Sequence, residues 1–240
     1  MTVIELDHIA IAAHRIADAP AVLVGILGGA PTGDGGPSGA YTWAQWAFAG
    51  GGRLEVLEPR GDDGFLRRFL ADRGPGIHHV TFRVPDLDAA CARAVAREFR
   101  VVGRDESDPS WAEAFLHPKE ALGIVVQLVE SRATTTTGRP AFLAPPGPPD
   151  PPPPVTLVGL RMRARSAVRA DTLWGGVLGA RRDDIGGALV YTWGCSPMRI
   201  AVDVDPSAAE GPTSVEYAGG RTVSPARPLG LGTRFERSGS

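Results

Sequence analysis

The 240-residue sequence predicts an α+β protein built from repeated βαβββ modules. Three observations carry this. Leu6 to Ala12 (LDHIAIA) resembles Ile77 to Arg83 (IHHVTFR), and Leu54 to Glu58 (LEVLE) resembles Val126 to Glu130 (VQLVE). The two matches share nearly one spacing: His8 and His79 stand 71 residues apart, Glu55 and Gln127 72 apart. Beyond a proline-rich stretch the first module returns, with Leu157 to Met162 aligning with Leu6 to Ile11 at an offset of 151.

The elements follow in order. Val3 to Ala12 alternates as a half-buried strand does. Ile16 to Leu27 is expected as a helix, with Ile16, Leu23, Ile26 and Leu27 compatible with one face and Gly28-Gly29 as its stop. Tyr41 to Ala49 and Arg53 to Leu57 read as strands joined by the turn Gly50-Gly51-Gly52. A short helix is expected over Phe65 to Asp72. The second module starts at Gly76, its strand ends at Val84, and Asp86 N-caps a helix expected through Glu98. Two strands follow near Trp111 to Leu116 and Ile124 to Val129.

Residues Pro140 to Pro154 (PAFLAPPGPPDPPPP) cannot form a helix interior or a central strand, because proline fixes φ and lacks an N–H. With the flexible run Thr134 to Thr137 before it, this reads as an extended linker. The expected organisation is a metal-binding domain over 1–132, a linker over 133–154, a degenerate third module over 155–217 and a flexible tail over 218–240. The third module repeats Ile26-Leu27-Gly28-Gly29 as Val177-Leu178-Gly179-Ala180, Tyr41-Thr42-Trp43 as Tyr191-Thr192-Trp193, and Arg53 to Val56 as Arg199 to Val202. Gly159 and Ala201 replace His8 and Glu55, so no metal is expected there. A half-covered module needs a partner surface: the first two modules, the remnant of a fourth copy that begins near Thr213 to Tyr217, or the same module of a second chain, the last being favoured and giving a homodimer.

Composition narrows the classes. The net charge of −2 comes with no basic block, which argues against nucleic acid, and no apolar run reaches membrane-spanning length. The chain starts at once on a strand-like pattern, so no signal peptide is expected. Cys91 and Cys195, in unrelated contexts, read as reduced thiols of a cytoplasmic protein.

Alternate residues of a strand share a face, so Glu55 faces with Leu57 and not with Glu58, and only one of His78 and His79 can join a site. The repeat selects His79. Two imidazoles, a carboxylate and an amide oxygen from His8, His79, Glu55 and Gln127 suit one divalent ion: Zn, Ni, Co, Mn or Fe(II). His14 is expected at the surface, His78 as structural, and Glu58 and Glu130 as solvated strand ends.

At these residues the chain resembles the vicinal oxygen chelate superfamily, which includes glyoxalase I, extradiol dioxygenases and antibiotic-resistance binding proteins. Over roughly residues 4–131 it is most similar to the methylmalonyl-CoA epimerases, through Asp7-His8-Ile9-Ala10-Ile11, Leu54 to Pro59, Phe69-Leu70, Gly76 to Val80, Phe115 to Lys119 and Gly123 to Leu128. The resemblance implies a half-barrel of paired modules and an enolate-forming isomerase or lyase acting on an acyl-CoA or similar carbonyl substrate. It leaves open a glyoxalase- or extradiol-dioxygenase-like metalloenzyme and a non-catalytic binder that sequesters a small molecule. In the family the fourth ligand is typically Glu; here Gln127 stands there and Glu55 holds the second place. Since an amide takes no proton at neutral pH, the expected base is Glu55, by the pseudo-symmetry of the modules, with Tyr41 or Glu58 next in line. Lys119, in the turn before the last strand, is expected to meet an anionic part of the substrate.

Overall fold

The computed structural model describes residues 3–132, 142–220 and 230–238. In the first module β1 (Glu5–Ala12) leads to a short helix α1 (Pro20–Leu23) and strands β2 (Ala30–Ser38), β3 (Tyr41–Ala47) and β4 (Arg53–Pro59), followed by α2 (Phe65–Arg73). The second module supplies β5 (Gly76–Arg83), α3 (Leu87–Val95), β6 (Val101–Asp108), β7 (Trp111–Leu116) and β8 (Val125–Ser131). These eight strands form one sheet in the order β2-β3-β4-β1-β5-β8-β7-β6, the paired-module arrangement expected from the repeat. The third module supplies β9 (Thr156–Ala164), α4 (Ala167–Ala170), β10 (Arg181–Ile185), β11 (Ala188–Thr192) and β12 (Arg199–Val204), and β13 (Gly211–Ala218) and β14 (Phe235–Arg237) follow. The second sheet runs β10-β11-β12-β9-β13-β14. It repeats the neighbours of the first sheet from β2 through β8, so β13 and β14 stand as a two-strand remnant of a fourth copy. Residues 235–237, within the expected tail, belong to it.

Two expectations about elements needed revision. The helix expected over Ile16 to Leu27 breaks into a 3-10 turn at Ile16–Asp18 and the four-residue α1. Pro20 has no N–H to donate back to Ile16, and Gly25 follows soon after. The chain then closes as expected: Gly29 N donates to Leu23 O (2.7 Å) and Gly28 takes φ +69. Strands β2 and β6 carry no apolar alternation and were not anticipated. Both are sheet edges, where pairing on one side suffices, and both show register shifts against their partners.

Contact density divides the chain into two units. One holds most of the second and third modules. Its core is aromatic: the Phe82 ring lies 4.8 Å from Trp193 and 6.0 Å from Trp174. Arg169 stacks 4.6 Å over Phe99 and donates to Glu120 O at 3.0 Å, while Arg93 donates to Val177 O at 3.2 Å. The third module thus packs on the second module of its own chain, one of the partner surfaces the sequence left open. The other unit holds most of the first module, residues 142–158 and the C-terminal strands. The proline-rich segment has no helix or strand over 142–154, yet it lies against the first module: Phe142 N donates to Gly33 O and Val155 N to Leu27 O. The run Thr134 to Thr137 lies outside the described residues.

Glu58 and Glu130, expected as solvated, occupy equivalent places and do equivalent work. Glu58 accepts from Ile16 N (2.6 Å) and Glu130 from Leu87 N (2.9 Å), so each last strand anchors the start of its module's helical segment. Arg132 and Leu87 N hold the Glu130 carboxyl below its ordinary range. Asp86 N-caps α3 through Ala89 N (2.8 Å), as expected. Cys91 is buried in α3, and Cys195 is exposed.

Gly159 shows why the third module cannot carry a ligand at the His8 position. Its φ is +145, and a Cβ there would meet Arg199 O at 1.9 Å, because the β12 backbone presses on it in register. On the same face Arg161 forms a paired contact with Asp203, its Nε donating at 2.7 Å. Gly159→Ala is expected to lower stability by about 1–3 kcal/mol through overpacking and backbone strain, measurable as a lowered urea midpoint. An unchanged midpoint would mean the strand pair relaxes freely.

Candidate metal centre

Parity and register build the site. On β1, His8, Ala10 and Ala12 alternate on one face; on β4, Glu55 and Leu57 share a face. Ala10 pairs with Glu55 and Ala12 with Leu57, so the two strands present one surface. On the other side of β4, Gln45 of β3 pairs with Glu55 and Trp43 with Leu57. The polar end of this surface is tightly connected: His8 Nε2 lies 3.6 Å from Glu55 Oε2, and Gln45 Nε2 donates to Glu55 Oε2 (3.2 Å) and lies 3.5 Å from His8 Nδ1. Further along, Ala10, Ala12, Leu57, Leu66 and Leu70 form an apolar cluster with Tyr41, Trp43 and Phe69 packed on it.

His8, Glu55 and His79 each offer one ligand atom within 4.8 Å of the others, and all three are buried. Two imidazoles and a carboxylate in such proximity make a donor set that suits a borderline divalent cation. The residues therefore fit the expected ion.

Gln127 is placed by its own strand. It pairs with Thr81 of β5 and with Phe115 of β7. Its Oε1 accepts from Thr81 Oγ1 (2.6 Å), and its Nε2 donates to Glu113 Oε2 (2.7 Å). Trp111 Nε1 donates to the same oxygen (3.0 Å).

The remaining expected residues lie elsewhere. Tyr41 stands four residues from Gln45, about 13 Å along β3 at the usual strand rise, with its ring edge-on to Phe65 at 5.7 Å. Lys119 is exposed in the turn before β8, its N–H donating to His117 Nδ1 at 3.2 Å. His14 is exposed, as expected. His78 is structural: it packs on Phe69 (4.8 Å) and Phe65 (5.5 Å). Desolvation, then repulsion from Arg73, lowers its pKa to about 4. A folded-state value below the ordinary 6.5 means the neutral ring favours folding. That contribution is complete above about pH 6.5 and is lost as pH falls toward 4. His78→Phe is expected to flatten the acid limb of a stability–pH profile over this window, and an unaltered limb would show that another group sets it.

Sequence reasoning missed Gln45 as a contact of both His8 and Glu55, and missed Thr81, Trp111 and Glu113 entirely. Their only signal was parity: Trp111, Glu113 and Phe115 alternate on β7.

Residues 7–115 match the model of the Glyoxalase/Bleomycin resistance protein/Dioxygenase superfamily. Bovine mitochondrial methylmalonyl-CoA epimerase is 25% identical over 130 residues, 52% of this chain and 74% of that protein. The uncharacterized protein YqjC of Bacillus subtilis is 28% identical over 129 residues, 53% of this chain and 92% of its own length. A 4-hydroxymandelate synthase variant structure from Streptomyces coelicolor aligns with 91% of this chain and 72% of its own, at 12% identity and TM-score 0.60, a likeness of fold that extends into the second sheet.

Proposed function

We propose that this protein is a metal-dependent isomerase or lyase that acts through an enolate on an acyl-CoA or similar carbonyl substrate. The convergence of His8, Glu55 and His79 within 4.8 Å carries the reading. Similarity to methylmalonyl-CoA epimerases supports the substrate class. The ion would be held by His8, Glu55, His79 and Gln127, and when bound it would polarise the substrate carbonyl and acidify the neighbouring C–H. Glu55 is the residue that takes the proton. Gln45 Nε2 donates to its Oε2 at 3.2 Å and so orients the carboxylate. The Ala10, Leu57 and Trp43 surface beside it excludes water from the reacting carbon.

The test is elemental analysis of the isolated protein, followed by solvent-deuterium exchange into acyl-CoA thioesters. Near-stoichiometric metal with exchange supports the reading; metal without exchange into any thioester points to a sequestering protein. His8, His79 and Glu55 also make a two-histidine, one-carboxylate set, the donor set of Fe(II) oxygenases. Oxygen uptake by the Fe(II)-loaded protein would favour that second reading.

Lys119, exposed in the turn before β8, would meet the anionic part of a CoA thioester. Lys119→Ala is expected to weaken CoA-thioester binding several-fold at low salt, with the difference shrinking as ionic strength rises. Equal affinity at low salt would make it a solvated turn residue only.

A further inference from the structure

We propose that Glu113 is the positioning residue for the Gln127 ligand: the carboxylate this half of the site lacks on β8 sits on β7. The inference rests on the metal reading above and adds a residue that reading does not need.

A glutamine is an ambiguous ligand. Its amide offers an oxygen that can bind a cation and a nitrogen that cannot, and the two ends have nearly the same shape. Something must fix which end points where. Glu113 does so by chemistry: an ionised carboxylate only accepts, so the group 2.7 Å from its Oε2 must be the amide NH2. The opposite end, Oε1, then faces Thr81, whose hydroxyl donates to it at 2.6 Å. One lone pair of Oε1 remains for an ion. Glu113 is itself held, because Trp111 Nε1 donates to the same oxygen at 3.0 Å from the same face of β7. All four residues follow from register. Thr81 pairs with Gln127, Gln127 pairs with Phe115, and Glu113 and Trp111 continue the face of Phe115 at two-residue steps. His79 lies on that face of β5, two residues before Thr81.

The arrangement also explains why glutamine stands at position 127. A second carboxylate there would sit against Glu113 at hydrogen-bonding distance, with like charges in a partly buried place. With amide and carboxylate exchanged between the strands, the pair keeps one negative charge and one hydrogen bond.

The test uses Co(II) binding to the full chain, read by chelator competition and by its visible d–d spectrum. The wild-type protein, Glu113→Leu, Glu113→Gln, Gln127→Glu and the double variant Glu113→Gln/Gln127→Glu would be compared, with apo-protein thermal stability measured for each. Glu113→Leu is expected to weaken Co(II) about 10–100-fold, the usual effect of losing a residue that orients a ligand, and to alter the spectrum. Glu113→Gln keeps an acceptor that Trp111 Nε1 can orient, and should weaken Co(II) less than Glu113→Leu does. Gln127→Glu alone should lower apo-protein stability, and the double variant should recover it together with Co(II) affinity. Wild-type affinity and spectrum in Glu113→Leu would overturn the proposal, as would failure of the double variant to recover what Gln127→Glu loses. If the wild-type chain bound no Co(II), the metal reading itself would fall and this inference with it; loss confined to the Glu113 variants separates the two cases.

Discussion

Replacing His8 and His79 together with alanine is expected to reduce bound divalent metal from near one ion per chain to background, while the chain stays folded. The two imidazoles supply half of the proposed ligand set, and each comes from a different copy of the repeat, so neither module keeps a site when both are lost. Zinc-type sites depend on ligand number, and removing two of four donors leaves a carboxylate and an amide, which hold such an ion weakly. The fold should survive because the sheet's hydrophobic support lies elsewhere, in residues such as Leu6, Ile9, Val80 and Phe82, all fully buried. Circular dichroism and elemental analysis on the same preparation separate the outcomes. Full metal occupancy in the folded double variant would move the site away from these residues. Loss of fold would be resolved by the single variants, each expected to retain weakened metal binding.

The central positions of this site were legible in the sequence because the chain states them twice. A strand histidine alone says little, but His8 and His79 at 71 residues, with Glu55 and Gln127 at 72, fix strand, face and partner at once. Strand parity then separates His79 from His78, and the structure places His78 among Phe65 and Phe69. What the repeat did not encode was harder to see. Strands β2 (APTGDGGPS) and β6 (VVGRDESD) owe their conformation to a partner strand and not to their own alternation. Glu58 and Glu130 looked like solvated strand ends, since nothing local reveals that Ile16 N and Leu87 N would arrive to use them. Glu113 was hidden for the same reason: its meaning depends on the neighbouring strand's register, which puts Gln127 Nε2 at 2.7 Å. The packing of the third module on the second depends on Phe82 meeting Trp174 and Trp193, a pairing between residues some 90 to 110 positions apart that no local pattern announces.

Glu55→Gln is expected to suppress solvent-deuterium exchange into an acyl-CoA substrate about 100- to 10,000-fold, the range typical of removing a positioned general base. The substitution is close to isosteric, and Gln45 can still reach position 55 with one amide rotated, so the sheet register Gln45↔Glu55 has no reason to change. The amide also retains an oxygen that can face a cation, so metal content should fall less than in the double histidine variant. This difference separates the two roles assigned to Glu55. If it served only as a ligand, exchange would fall in proportion to metal occupancy and recover when metal is added in excess. If it takes the proton, exchange stays suppressed at full occupancy, because an amide accepts no proton near neutral pH. Tyr41 cannot readily substitute, standing about 13 Å further along β3 and packed edge-on against Phe65. Glu58 points to the opposite face and is engaged by Ile16 N. Exchange that persists at the wild-type rate in metal-loaded Glu55→Gln would therefore remove Glu55 as the base, and the search would turn to the carboxylate that sits beside Gln127.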